Sequence, residues 1–600
     1  MISPDKSQPN RCGQYAGLML TAMLASPAAW ATASIASDNA LLETLLHNGV
    51  INKKQFDALV KKSGGLGSND LIEILALNGA ITKDQAAALT NKAAPPTPTK
   101  EPAVKLVNAD PKPADKAQAK KEDPDEGYVH FNEKGLEWGS KDGNFKAKLG
   151  GRIQVDSQVN WNDPDTPEGA GMSNGVGFRR LRLFTEGVLW RDYEYRFEYD
   201  WARNNGGLEG VTDAYLKYIH FKPFAITIGQ LNEGKTLDSV MSNNYLTFIE
   251  RSLPLNAFIE AGPNSKYQMG AIAETFDKAW GVPYVLRGGI TTESIAAPGP
   301  GNSSDNSMGT SNTAGGTNAM ASNSQRNAFS GDTSYQLVGR GVVLPYKDEA
   351  GNLLHTGVWG SWRSTNNNFN ENGSLRTGGW AYQSAPDSAI DRTNWANTGN
   401  LTNTKCVGGK YDSATGNCVG GQNVLQHRVD SVGMFGAELA GAVGPVHAQA
   451  EYILTQIDGY GYDNSDLLQG AYVQAGWFLT GETRPYDEKK GVWNRVIPRA
   501  NFLQGDGWGA FELAGRYDWL NMNTPNINGG ALSIGSLGFN WYLTPRIRFM
   551  TDYVHVFATN NGQALEATGC SFPAQGRNPN IGCFNGLSPS IWETAVRMDF

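Results

Sequence analysis

The sequence predicts an all-β fold: a transmembrane antiparallel β-barrel of about 16 strands, preceded by a small helical repeat module and a flexible linker. Three observations carry that expectation. First, Phe145, Ala147, Leu149, Gly151, Ile153 and Val155 alternate with Lys146, Lys148, Gly150, Arg152, Gln154 and Asp156. Farther on, Tyr193, Tyr195, Phe197, Tyr199 and Trp201 alternate with Glu194, Arg196, Glu198 and Asp200. Successive strand side chains point to opposite faces, so each segment has one apolar and one charged face. Second, the pattern recurs to the last residue, with long polar loops between some segments and tight turns such as Leu543-Thr544-Pro545 between others. Third, no run of 18 apolar residues follows the N-terminal region, so there is no helical span.

The elements follow in order. Lys6 and Arg11, the apolar run from Ala16 to Leu24 and the small residues Ala29 and Ala31 read as a signal peptide over 1–31, hence export. Residues 38–92 hold an internal repeat of period 30. Leu42-Glu43, Asn48-Gly49, Ile51, Lys53 and Gln55 recur as Ile72-Glu73, Asn78-Gly79, Ile81, Lys83 and Gln85. Each copy reads as helix, Asn-Gly stop, helix, which predicts a small periplasmic module. Residues 93–127 are rich in Pro, Ala and Lys and make a semi-extended linker. Residues 128–600 carry the barrel.

Composition excludes several functions. Net charge is −8 and no basic tract stands out, which argues against nucleic acid. Mean hydropathy is −0.41, as expected where each strand mixes lipid-facing and water-facing residues. The seven histidines form no metal spacing, and neither a nucleophile elbow nor a P-loop occurs, so no enzyme, metal or cofactor is expected. After signal removal four cysteines remain as local pairs, Cys406 with Cys418 and Cys570 with Cys583. Two intraloop disulfides are the natural reading in an oxidising compartment, with zinc the alternative.

Bases on the inward parity are the candidate functional residues, because guanidinium groups offer rigid multiple donors to oxyanions. Lys146, Lys148 and Arg152 share one face, and Arg180 and Arg182 share the next. Over the first four wall strands seven inward bases meet six inward acids, so this part of the lumen is nearly balanced.

Several stretches resemble a known family. GGRIQVD (150–156), FRRLRLFTEGVLWRDYEYRFEYD (178–200), ERSL (250–253), LTGETRPY (479–486), LGFNWYLTP (537–545) and terminal Phe600 are similar to the phosphate-selective porins of the porin O and P family. The resemblance implies an outer-membrane homotrimer whose pores are each narrowed by an inward third loop, about residues 231–258. It implies anion-binding roles for Arg152, Arg179, Arg180 and Arg251, with Lys148 on a lysine ladder. Strand parity opposes Arg179 to Arg180 unless a bulge intervenes. Where the family's loop carries lysines this chain has Ser239 and Asn244, with Lys235 nearby, and Arg182 and Asn232 stand at tyrosine positions. Terminal phenylalanine resembles the family's signal for membrane insertion. The expected partners are small anionic solutes and outer-membrane lipid. The expected function is passive anion diffusion. A general or sugar/organic-acid porin, or a tether reaching the cell wall through 38–92, are the alternatives.

Overall fold

The computed structural model describes residues 127–132, 135–166, 171–202, 210–260, 266–294, 334–365, 380–412, 417–502, 507–560 and 584–600. The expected signal peptide, the 38–92 module and all but the last residue of the linker lie outside the described residues.

Sixteen strands form the wall. They are β1 (Lys146–Trp161), β2 (Gly175–Leu189), β3 (Tyr193–Asp200), β4 (Val211–Tyr218), β5 (Phe224–Asn232), β6 (Tyr267–Ala279), β7 (Val282–Thr291) and β8 (Gln336–Lys347). There follow β9 (Leu353–Ser364), β10 (Gln422–Val443), β11 (Val446–Tyr460), β12 (Leu467–Phe478), β13 (Ala510–Asn523), β14 (Asn528–Tyr542), β15 (Ile547–Asn560) and β16 (Ser590–Asp599). Each pairs antiparallel with the next, and β16 pairs with β1 from Ser590↔Trp161 to Asp599↔Arg152, which closes the ring. Closure leaves no unpaired wall edge in the hydrocarbon layer, where orphan backbone groups are costly. An N-terminal hairpin, Gly127–Asn132 with Gly135–Ser140, joins the rim beside β1.

Alternation sets the faces as expected. On β13, Glu512, Ala514, Arg516 and Asp518 point inward and are buried, while Leu513 and Tyr517 are exposed on the outer face. Val358, Val473, Leu537 and Val596 are likewise exposed, and Trp190, Trp280 and Trp508 lie near one rim. Such an apolar band with rim aromatics is what lipid and its interface select.

One end of the ring carries mostly tight turns. Trp280 and Gly281, both at positive φ (50° and 83°), form the two-residue turn between β6 and β7, whose twist matches the flanking strands. The exception is the long β12–β13 connection, residues 479–509, whose residues 484–496 fold back into the lumen. Its Trp493 is fully buried, and its Tyr486 hydroxyl meets the His355 imidazole at 2.5 Å.

Two loops from the opposite end also enter the ring. The first is the β5–β6 connection, described over residues 233–260 and at 266, which starts later than expected because Leu231 and Asn232 still belong to β5. The second is residues 380–402 of the β9–β10 connection. These loops change the character of the lumen. Toward the loop end, the inward faces of β10–β16 turn from charged to apolar, as Val432, Ile457, Leu520, Met522, Val554 and Val556 show. They pack on Leu253 and Phe258 of the first loop and on Trp395 and Leu401 of the second. Part of the lumen expected to be wet is therefore a dry core.

Among the described residues, one of the two expected intraloop disulfides is present. Cys406 and Cys418 are bonded within the long β9–β10 connection, outside that core. The second expected partners, Cys570 and Cys583, differ in this respect: Cys570 lies outside the described residues, and Cys583 does too, one residue before they resume at Phe584. The pairing of Cys570 with Cys583 thus stays an expectation from spacing.

Candidate functional site

The space left open lies between the β1–β8 wall and the first inward loop and has a volume of about 450 Å³. Its chemistry follows from strand register. Lys148, Glu186 and Arg196 sit side by side across β1, β2 and β3, and Asp599, Arg152, Arg182 and Asp200 make a second row across β16 to β3. Arg152 and Arg182 are direct cross-strand partners, an arrangement that repels by itself. Glu198 relieves it, with one oxygen 2.6 Å from Arg182 Nη1 and the other 3.6 Å from Arg152 and 2.6 Å from Arg196. Arg182 is further tied to Asp200 at 2.7 Å.

The first inward loop has no strand to satisfy its backbone, so wall side chains do so. Glu451 of β11 accepts from Leu237 N–H (3.0 Å) and Asp238 N–H (2.9 Å), where the loop makes one short helical turn (Leu237–Val240). Asp552 accepts from Ile249 N–H at 2.6 Å, and Asp518 from Leu253 N–H at 3.0 Å. Arg484, Arg548 and Arg597 donate to the carbonyls of Tyr245, Leu246 and Ile249. Arg251 braces the loop internally, reaching Asp238 and Glu260 at 3.0 Å each and the Met241 carbonyl at 2.9 Å.

The residues singled out in the sequence scatter over this frame. Lys148, Arg152, Arg182 and Arg251 line the cavity. Arg179 falls at a register shift between β1 and β2, where Gln154 faces Arg180 and Val155 faces Phe178. That bulge turns Arg179 inward too, resolving the parity conflict. Its guanidinium binds Glu250 of the inward loop bidentately, at 2.5 and 3.0 Å. Arg180 is buried and is not among the cavity-lining residues; it donates to Gln154 Oε1 at 2.8 Å and has no carboxylate in ion-pair range among the described residues. Lys146 is exposed near the turn rim, away from the cavity. Lys235 is buried, 3.1 Å from Glu233, and borders a separate small cavity beside Arg363 and Tyr382.

Other bases join the cavity from elements that the sequence reading left aside. They are Lys266 just before β6, Arg287 of β7, Arg340 of β8, Lys489, Lys490 and Arg495 of the 479–509 segment, and Arg546 before β15. Arg340 is paired with Glu438 at 2.8 Å, and Asp599 holds both Arg495 (2.5 Å) and Arg546 (2.8 Å). Among the described residues, thirteen Lys or Arg line the cavity against five Asp or Glu. The near balance counted over four strands does not hold for the lining of the whole space, because the later elements place more bases than acids on it, some of them paired with carboxylates behind the surface, as Arg340 is with Glu438. Alternation on β7 and β8 could have revealed Arg287 and Arg340; nothing local marks residues 489–495 as lining.

Comparison with known proteins agrees with this architecture. The profile of the family "Phosphate-selective porin O and P" matches residues 147–434 and 420–569. The chain is 25% identical over 448 residues to Porin O of Pseudomonas aeruginosa, covering 71% of this chain and 87% of that one. It is 29% identical over 472 residues to an uncharacterized protein of Caulobacter vibrioides, covering 77% and 78%. Among solved structures it is similar to an anion-selective porin from Comamonas acidovorans, with a TM-score of 0.38 and 10% identity, over 76% of this chain and all of that one.

Proposed function

Because the chain belongs to the family of phosphate-selective porins O and P, we propose that it is a passive outer-membrane channel for small anions such as phosphate, working as a homotrimer embedded in lipid. The observation that carries this reading is the excess of bases in the cavity, thirteen against five. A narrow, low-dielectric passage focuses that excess into a positive potential that enriches anions and repels cations. Arg152, Arg182 and Arg251 form the strait on its wall and loop sides, and Arg180 on β2 has no carboxylate in ion-pair range among the described residues. Lys148, Lys217, Lys489 and Lys490 supply weaker, hydrated stations toward the turn end, where an ion can leave.

Single-channel reversal potentials in a salt gradient test the proposal: an anion preference is expected, and a cation preference refutes it. Replacing Arg152 and Arg180 together by Ala is expected to abolish phosphate block of the chloride current. A second reading, a general or sugar/organic-acid channel, draws on Phe184, Tyr215, Tyr267, Asn232, Ser239 and Asn244 in the same lining. Current blocked by sugar but indifferent to phosphate would favour it.

A further inference from the structure

Above the strait, toward the loop end, three segments meet on one carboxylate. Glu250 of the first inward loop accepts from Arg179 Nε at 2.5 Å and Arg179 Nη2 at 3.0 Å, and from Arg392 Nη1 at 2.9 Å. Arg179 comes from the β2 bulge and Arg392 from the second inward loop. Arg392 is also positioned by Asn256 Oδ1 at 3.0 Å and by the Ser388 carbonyl. Three donors converge on two oxygens, the geometry with which guanidinium groups grip a carboxylate or phosphate. Among the described residues, Glu250 is the one carboxylate within ion-pair range of either arginine, and Arg180 lies next in the chain. The Glu250 side chain is 9% exposed, but that of Arg392 is 34% exposed, so one side of the pair is open to solvent.

We propose that Arg179 and Arg392 form an oxyanion site which the chain occupies with its own carboxylate, and that Glu250 is a specificity-determining residue acting as a resident competitor. A free oxyanion arriving from the loop end exchanges with Glu250 on the two guanidiniums before reaching Arg180 and the strait. The tethered carboxylate keeps that binding weak enough for release, because every arriving anion must displace a local rival. No bond is made or broken; one set of charge-assisted hydrogen bonds replaces another. This inference rests on the anion-channel reading and deepens it.

Inorganic phosphate block of the chloride current, measured on reconstituted full-length channels, tests it. E250Q keeps the side chain's size and removes its charge, and is expected to tighten phosphate block about tenfold. The same change made in an R392Q background is expected to give no such gain, since the site then lacks one arm. R392Q alone, which leaves the Arg179–Glu250 pair intact, is expected to weaken block several-fold. This variant at a partly open loop position keeps the test decisive should E250Q not assemble. Unchanged block in E250Q, an equal gain with and without Arg392, or unchanged block in R392Q would each overturn the proposal. Reversal potentials recorded on the same channels separate the two claims. A cation preference in the unaltered protein removes the anion reading itself, whereas anion preference with an inert Glu250 removes only this inference.

Discussion

Glu250 shows how one side chain ties chemistry to architecture. Burial by itself raises its carboxyl pKa, but the Arg179 and Arg392 guanidiniums outweigh that and hold it well below the ordinary value of 4.5. A carboxyl depressed on folding contributes stability that is complete above its unfolded value and lost as pH falls through the folded one. The expected outcome is a conductance and phosphate block that stay constant from pH 7 to pH 5 as far as this clamp is concerned. Change sets in only well below pH 4.5, and a pH series on single channels checks it; a transition centred between 5 and 6 in the unaltered protein that E250Q abolishes would contradict the assignment. Arg179 was legible in the sequence only as half of a contradiction. Alternation assigned it to lipid and motif assigned it to the pore, and the bulge that decides between them leaves no local signature. Arg182 shows the converse: its parity placed it inward, while its neutralisation by Glu198 and Asp200 depends on a register that no single strand reveals.

At the scale of elements, the first inward loop is held less by its own short helical turns than by the wall. Glu451 is its clearest anchor, accepting two loop N–H groups and the Tyr472 hydroxyl at 2.6 Å. Glu451→Ala strands these donors in a buried place, at about 1–3 kcal/mol each. The expected outcome is a barrel that still assembles but whose open-channel current flickers. Noise spectra indistinguishable from the unaltered channel would show that the anchor does not matter. The wall strands were readable because alternation is a local, period-two signal. The inward loop was locatable from the resemblance, its start to within two residues, while its expected end at 258 falls eight residues short of the connection's last residue, 266. The entry of residues 479–509 and 380–402 was not, since their burial is fixed by contacts with distant strands. The same contacts explain why the expected water-filled lumen is partly a dry core. Val554 and Val556 share the inward parity of Arg548 and Asp552, and only the loops covering them make that tolerable.

For the whole molecule, the positive potential is a sum over groups from most of the ring, so it depends on screening. The Debye length shrinks from about 10 Å at 0.1 M to about 3 Å at 1 M salt. The ratio of anion to cation permeability is expected to fall several-fold across that range, with mean selectivity at low salt surviving any single lysine replacement. Selectivity that is flat with ionic strength would indicate contact binding alone. The overall balance of the chain, at −8, points the other way from the cavity. Net charge is therefore no guide to the passage, which has to be read residue by residue.

Ring closure also dictates an order of events. The Ser157 and Thr594 hydroxyls meet at 2.6 Å across the β1–β16 seam, 437 residues apart in sequence. Joining such distant segments first, from an unstructured chain, costs about 5 kcal/mol in loop entropy. Once the intervening hairpins have zipped up, the same two edges already lie side by side. Assembly thus runs from neighbouring strands toward the seam, and until the final strand arrives the nascent sheet presents two open edges. That interval, rather than the finished channel, is when the protein is most exposed to pairing with the wrong partner.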